Sequence, residues 1–170
     1  PKLAAGDLET PAGFAGSYFA TAFDETVTRA GTATIVPAEG NSYLLTITED
    51  DREEDAPVQL RLLRLNSGLL LAVVSDPGKV DDVLYAVVTP AADGAWAFRA
   101  VDFDAGRRDR TLREALLRHG ATDVSFDSSD MQANRISGNL TAANLRALFS
   151  DPDFVNAIST GHGFRLSPRP

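Results

Sequence analysis

The chain has 170 residues, of which 44% are hydrophobic and 24% charged, with a formal net charge of -8 and no cysteine. That length supports one hydrophobic core without disulfides, the acidic balance argues against a nucleic-acid-binding face, and no apolar run reaches the roughly 18 to 20 residues that cross a bilayer as a helix. Two histidines and no cysteine exclude thiolate chemistry and Cys-based zinc or iron-sulfur sites, so the sequence implies neither a transition metal nor a cofactor.

Residues 1 to 16, with two prolines, three glycines and no apolar periodicity, read as a flexible N-terminal arm ahead of a single α+β domain over 17 to 170. From Ser17 to Asp104, short apolar runs separated by turn residues predict an antiparallel β-meander of about seven strands, as a sheet or partial barrel. Ser17 to Phe23 alternates, Thr32 to Pro37 is β-branched at nearly every position, and Ser42 to Glu49 returns after the turn at Pro37 to Asn41. The segment Glu49 to Asp55 holds six acids against one arginine and predicts a solvated loop. In Val58 to Leu65 the alternation slips at Leu62-Leu63, which suggests a β-bulge or a strand leaving one sheet face for another. Leu69 to Val74 and Val83 to Val88 are continuous apolar runs, expected of central strands covered on both faces, and Ala95 to Phe103 completes the meander.

Beyond Asp104 the period becomes helical. Thr111-Leu-Arg-Glu114 has the form of a capping box, with Leu112, Ala115, Leu116 and His119 on one stripe and Gly120 as the stop. Thr141 opens a second helix, with Leu145, Leu148 and Phe149 inward. Asp151-Pro152 starts a third that buries Phe154, Val155 and Ile158. These two or three helices are expected to pack on the sheet. Val124 to Phe126 and Arg135 to Leu140 read as short strands, and Phe164 to Leu166 as a last edge strand.

Four groups of residues bear on chemistry. His162, between Gly161 and Gly163, offers an accessible imidazole, and with Asp102 or Asp127 it would make the Asp/His pair of a small hydrolase. His119 sits where a helix C-terminus favours histidine for structural reasons. Asp102 with Asp104, and Asp127 with Asp123 and Asp130, lack the remaining features of a calcium loop and serve equally as turn and cap residues. Arg107, Arg108 and Arg110, followed by Arg113 and Arg118, make a local basic segment suited to an anion or phospholipid headgroup, or to neutralising the acidic loop at 49 to 55.

The meander, whose first strand opens Gly16-Ser-Tyr18, resembles the lipocalin-like barrels of small bacterial envelope lipoproteins over residues 14 to about 104, with Tyr18 where lipocalins usually carry tryptophan. The resemblance implies a non-enzymatic domain in the periplasm or tethered to the envelope, binding an apolar ligand or a protein partner. The start at Pro1 is what a lipoprotein cut after its lipidated cysteine would show, and many chains trimmed for other reasons would show the same. The expected site is a concave face lined by Tyr18, Phe19, Phe23, Tyr43, Leu45, Trp96 and Phe98. The same aromatics are expected equally as ordinary core. A non-catalytic binding or interaction module is the first reading and the hydrolase the alternative.

Overall fold

A computed structural model describes residues 1–23, 28–49, 56–77, 83–91, 93–102, 110–125, 135–138, 140–158, 160 and 162–170. In chain order the elements are β1 (Gly16–Phe23), β2 (Thr28–Ala38), β3 (Ser42–Glu49), β4 (Val58–Arg64), β5 (Leu70–Ser75), β6 (Val83–Pro90), β7 (Trp96–Ala100), α1 (Arg110–Arg118), β8 (Ala121–Ser125), β9 (Arg135–Gly138), α2 (Ala142–Leu148), α3 (Pro152–Ala157) and β10 (Gly163–Pro168). Among the described residues, contacts group Ala4–Arg64, Leu69–Val101 and Thr160–Pro170 into one compact unit. Pro1–Leu3, Leu65–Gly68 and Asp102–Ser159 form a second. No described helix is long and apolar enough to cross a membrane.

The first unit is a closed antiparallel barrel in which each of β1 to β7 pairs with the next, and β10 lies between β7 and β1. The expected meander thus gains an eighth strand. Phe164 to Leu166 belongs to no edge: β10 pairs with β1 from Tyr18↔Pro168 to Phe23↔Gly163, and with β7 from Gly163↔Arg99 to Leu166↔Trp96. Closure pairs the N–H and C=O groups that two free edges would leave exposed. At this seam the Ala100 amide donates to the His162 carbonyl at 2.8 Å, and Arg165 pairs with Asp93, whose carboxyl the Ala95 amide and Arg165 hold below its usual range. The architecture is compatible with a lipocalin-like fold.

The slip at Leu62-Leu63 is not a bulge, because β4 keeps an unbroken register with β5 from Gln59↔Ser75 to Arg64↔Leu70. Both leucines are fully buried, one on each face of the strand, so adjacent apolar positions report cover on two sides. Leu71, Ala72 and Val73 of β5 are buried in the same way, as the continuous run predicts. In β6, Tyr85, Ala86 and Val88 are buried but Leu84 is 73% exposed, so that run is only partly covered.

The stretch read as an arm is tied to the barrel by isolated contacts rather than by any periodic pattern. Leu8 bridges to Leu63, the Glu9 amide donates to the Leu62 carbonyl at 2.8 Å, and Glu9 pairs with Arg64 at 3.1 Å. Phe14 is fully buried, edge-on to Tyr43 and Trp96 with ring centroids 4.9 and 5.1 Å away. The Tyr18 hydroxyl lies 2.8 Å from the Gly13 carbonyl and 2.7 Å from that of Phe14, sharing its one hydrogen between them. Tyr18 therefore clamps the turn that delivers Phe14.

In the second unit, Leu112, Ala115, Leu116, Ala121, Val124, Leu148, Phe154 and Ala157 form the core, with Phe149 edge-on to Phe154 at 5.1 Å. Thr141 caps α2 as expected, accepting from the Asn144 amide at 3.2 Å. Thr111 does not cap α1: the helix already includes Arg110, which takes Glu114 as its partner at 2.6 Å. Val155 is exposed, and Ala157 takes the inward place beside Phe154. A Cβ on Gly138 would come within 2.5 Å of the Gly120 carbonyl oxygen and 2.8 Å of the Ala121 Cα, so the β8–β9 pairing admits only glycine there.

Truncating Phe14 to alanine is expected to cost about 3 to 5 kcal/mol, the range for a buried phenylalanine. A reversible denaturant melt reads this directly, and a loss below about 1 kcal/mol would show that the ring is not part of the barrel core.

Candidate functional site

Residues paired across an antiparallel ladder share a face, and along each strand every second residue points inward. The barrel's inward residues therefore sort into three layers. Nearest Phe14 lie Tyr18, Ile35, Tyr43, Leu62, Leu70, Val88 and Trp96, all buried. The middle layer is Ala20, Ala33, Leu45, Leu60, Ala72, Ala86, Phe98 and Leu166, none more than 9% exposed. The third, at the opposite end, is Ala22, Gly31, Ile47, Val58, Val74, Leu84, Ala100 and Phe164. Here Leu84 and Ala100 are exposed, Gly31 is buried and the others are half-buried.

The middle layer is sealed by the order of its side chains. Small residues on β1 and β2 (Ala20, Ala33) and on β5 and β6 (Ala72, Ala86) alternate with large ones on β3 and β4 (Leu45, Leu60) and on β7 and β10 (Phe98, Leu166). Eight strands enclose a space that such side chains can fill, and the near-complete burial of all eight shows that they leave little room for water between them. Phe164 of the outer layer stacks on Phe98 at 4.6 Å with the planes 13° apart, which fixes one wall of the open end. At that end the apolar side chains of the outer layer lie over a packed middle layer.

Of the expected ligand-facing aromatics, Tyr18, Tyr43, Trp96 and Phe98 point into the barrel and are buried, Phe98 in the middle layer and the other three around Phe14. Phe19 does not line the interior: the strand alternates the other way, and Phe19 is 48% exposed with the Arg169 guanidinium 5.2 Å from its ring. The side chain of Phe23 lies outside the described residues. So do Asp127, Arg107, Arg108 and the acidic residues 50–55. Arg110 is exposed and engaged by Glu114, Asp102 is half-buried, and His162 is exposed at the start of β10. Phe14, Leu84 and Ala100 escape strand-pattern reasoning. Phe14 precedes the first strand, and the strand pattern places Leu84 and Ala100 inward without revealing that both are exposed near their strand ends.

Two other polar groupings stand out. On the outward face Arg61, Val73 and Tyr85 share one row, and burial pushes the Tyr85 phenol up to about 12, against a smaller opposing effect of Arg61. In the second unit Asp151 Oδ2 accepts from Arg118 at 2.7 Å and lies 2.8 Å from His119 Nε2, while its Oδ1 caps α3 by accepting from the Asp153 amide at 3.0 Å. Arg118 also reaches Asp153 at 3.1 Å. His119, then the Asp153 amide and Arg118, hold the Asp151 carboxyl below its usual range against the opposing effect of burial. This Asp/His pair differs from those expected. With one oxygen shared between a guanidinium and an imidazole and the other capping a helix, Asp151 joins the end of α1 to the start of α3. At the stoppered end of the barrel, an open pocket of about 250 Å³ between Pro11, Pro37 and Tyr43 has no charged lining residue.

Compared with family models, with curated proteins and with solved structures, the chain matches none.

Because the native state favours the Asp151 carboxylate, its stabilisation is present above the unfolded carboxyl pKa of about 3.9 and is lost as pH falls through the lower native value. Asp151→Asn is therefore expected to be less stable than the parent at pH 7, with the difference shrinking below about pH 4. Chemical denaturation across that range checks it. A difference independent of pH would show that the charge of Asp151 does not matter.

Proposed function

We propose that the protein is a non-catalytic binding module whose barrel takes the apolar part of a ligand at the end opposite Phe14. The observation that carries this reading is Leu84, an apolar residue in the inward phase of β6 and paired with Val74, yet 73% exposed. A leucine in that position offers its side chain to an apolar ligand. The surrounding Ile47, Val58, Val74 and Phe164 are half-buried and uncharged, so they offer dispersion contact and no charge to neutralise. Contact with these side chains would draw on the hydrophobic effect, about 25 cal/mol per Å² covered. A place at the bacterial envelope is part of the same proposal, supported by the likeness of the barrel to lipocalin-like envelope lipoproteins and tested by fractionating cells that make the protein.

The test is titration with N-phenyl-1-naphthylamine, a neutral apolar dye that brightens out of water. Saturable one-to-one binding is expected, weakened about tenfold by Leu84→Asp, since covering a leucine is worth about 1.5 kcal/mol or more. The exposed position leaves thermal stability nearly unchanged. Dye binding unaffected by Leu84→Asp would refute the assignment to this end.

A further inference from the structure

The stoppered end of the barrel carries the open pocket of about 250 Å³. Its walls come from residues 10–15 and 37–43, all among the described residues and all within one compact unit. Pro11 and Pro37 restrict the backbone, and Gly13, Gly40 and Asn41 take left-handed φ values of 74°, 67° and 59° that turn the chain on either side. The turns are tied down. The Asn41 side-chain amide donates to the Ala5 carbonyl at 3.0 Å, and the Tyr18 hydroxyl holds the Gly13 carbonyl at 2.8 Å, so the pocket is formed before anything enters it.

Tyr43 lines this pocket and is 4% exposed, yet its hydroxyl makes no hydrogen bond to any described residue. Ser42 differs, because its Oγ donates to the Glu39 carbonyl at 2.7 Å and accepts from the Gln59 amide at 3.2 Å. Burial and the nearby Tyr43 phenol push the Tyr18 phenol up, against the opposing effect of Trp96, which sets Tyr43 close to the clamp on Gly13 in the facing wall. Burial pushes the Tyr43 phenol up as well, so at neutral pH it is an uncharged donor. We propose that the pocket is a second binding site, taking a neutral single-ring molecule whose carbonyl oxygen accepts a hydrogen bond from Tyr43 while its ring lies against Pro11 and Pro37. The size follows from the volume of about 250 Å³, which is smaller than the roughly 300 to 1,000 Å³ of pockets for drug-sized ligands. Neutrality follows from the lining. With no charged residue there, an ion would give up water and meet no counter-charge, and the net charge of -8 also repels an anion.

The test titrates the intact protein with 2-pyrrolidinone, a neutral cyclic amide, and reads the methyl NMR signals of Ala15 and Ala38, which line the pocket. Saturable shifts are expected, weakened about fivefold to tenfold in Tyr43→Phe by the loss of one hydrogen bond. Pyroglutamate, the same ring carrying a carboxylate, is expected to bind at least about tenfold more weakly than pyrrolidinone. Tyr43→Phe keeps the ring against Phe14, so its denaturation midpoint should match the parent's. Shifts that do not saturate, or equal affinity in Tyr43→Phe, would overturn the proposal. So would equal affinity for pyroglutamate, or a lowered midpoint in Tyr43→Phe, which would mean that the hydroxyl already has a partner inside the protein. Leu84→Asp should leave the titration unchanged. Loss of the shifts in that variant would place the ring at the opposite end, overturning this site and leaving the other standing.

Discussion

A barrel of eight strands encloses a space about the width of the side chains that point into it, and this constraint governs the molecule. Once β10 closes the ladder between β7 and β1, each described inward residue either packs against the opposite wall or stands in an end layer. The chain meets the constraint in order. Phe14 and the aromatics around it stopper one end, four large and four small residues fill the middle, and the last layer is left apolar and partly wet. The candidate site is what remains when the other two layers are satisfied. Closure also keeps the wall of the site in place, since Phe164 and Phe98 lie on the paired strands β10 and β7.

Much of this is legible in the sequence, for reasons that can be named. Ser42 to Glu49 alternates because one face of β3 is interior and the other is not, and the observed strand has those bounds. Leu69, outside the strand, is 40% exposed, whereas Leu70 to Val73 is continuous because both faces of β5 are buried there. The doubled leucine at 62 and 63 has the same cause. As text it cannot be told from a bulge, because a phase slip and two covered faces write the same pattern. Thr141 and Asp151 announce helix starts because unsatisfied amides need a side-chain oxygen.

The illegible features depend on distant partners. Which of Tyr18 and Phe19 points inward is set by register with Ala33 on β2, and both residues suit either face. Phe14 makes its contacts 29 and 82 residues away, at Tyr43 and Trp96. The role of β10 is hidden by the second unit, which separates it in sequence from the strand it joins. Asp151 is recognisable as a cap, but its ties to Arg118 and His119 follow only from where α1 ends. In each case local pattern supplies the element, and its partner comes from a remote segment.

The layered interior is tested most directly by adding a soluble, neutral gadolinium chelate to methyl-labelled protein and reading which inward methyls broaden. The methyls of Leu84 and Ala100 should broaden strongly, those of Ala22 and Val74 partly, and those of Ala20, Ala72, Ala86 and Leu60 should keep their intensity. Equal broadening at Leu60, Ala86 and Leu84 would mean that the barrel is hollow below its rim, contradicting the sealed middle layer. Protection of Leu84 to the level of Leu60 would mean that the rim is closed, contradicting the open end.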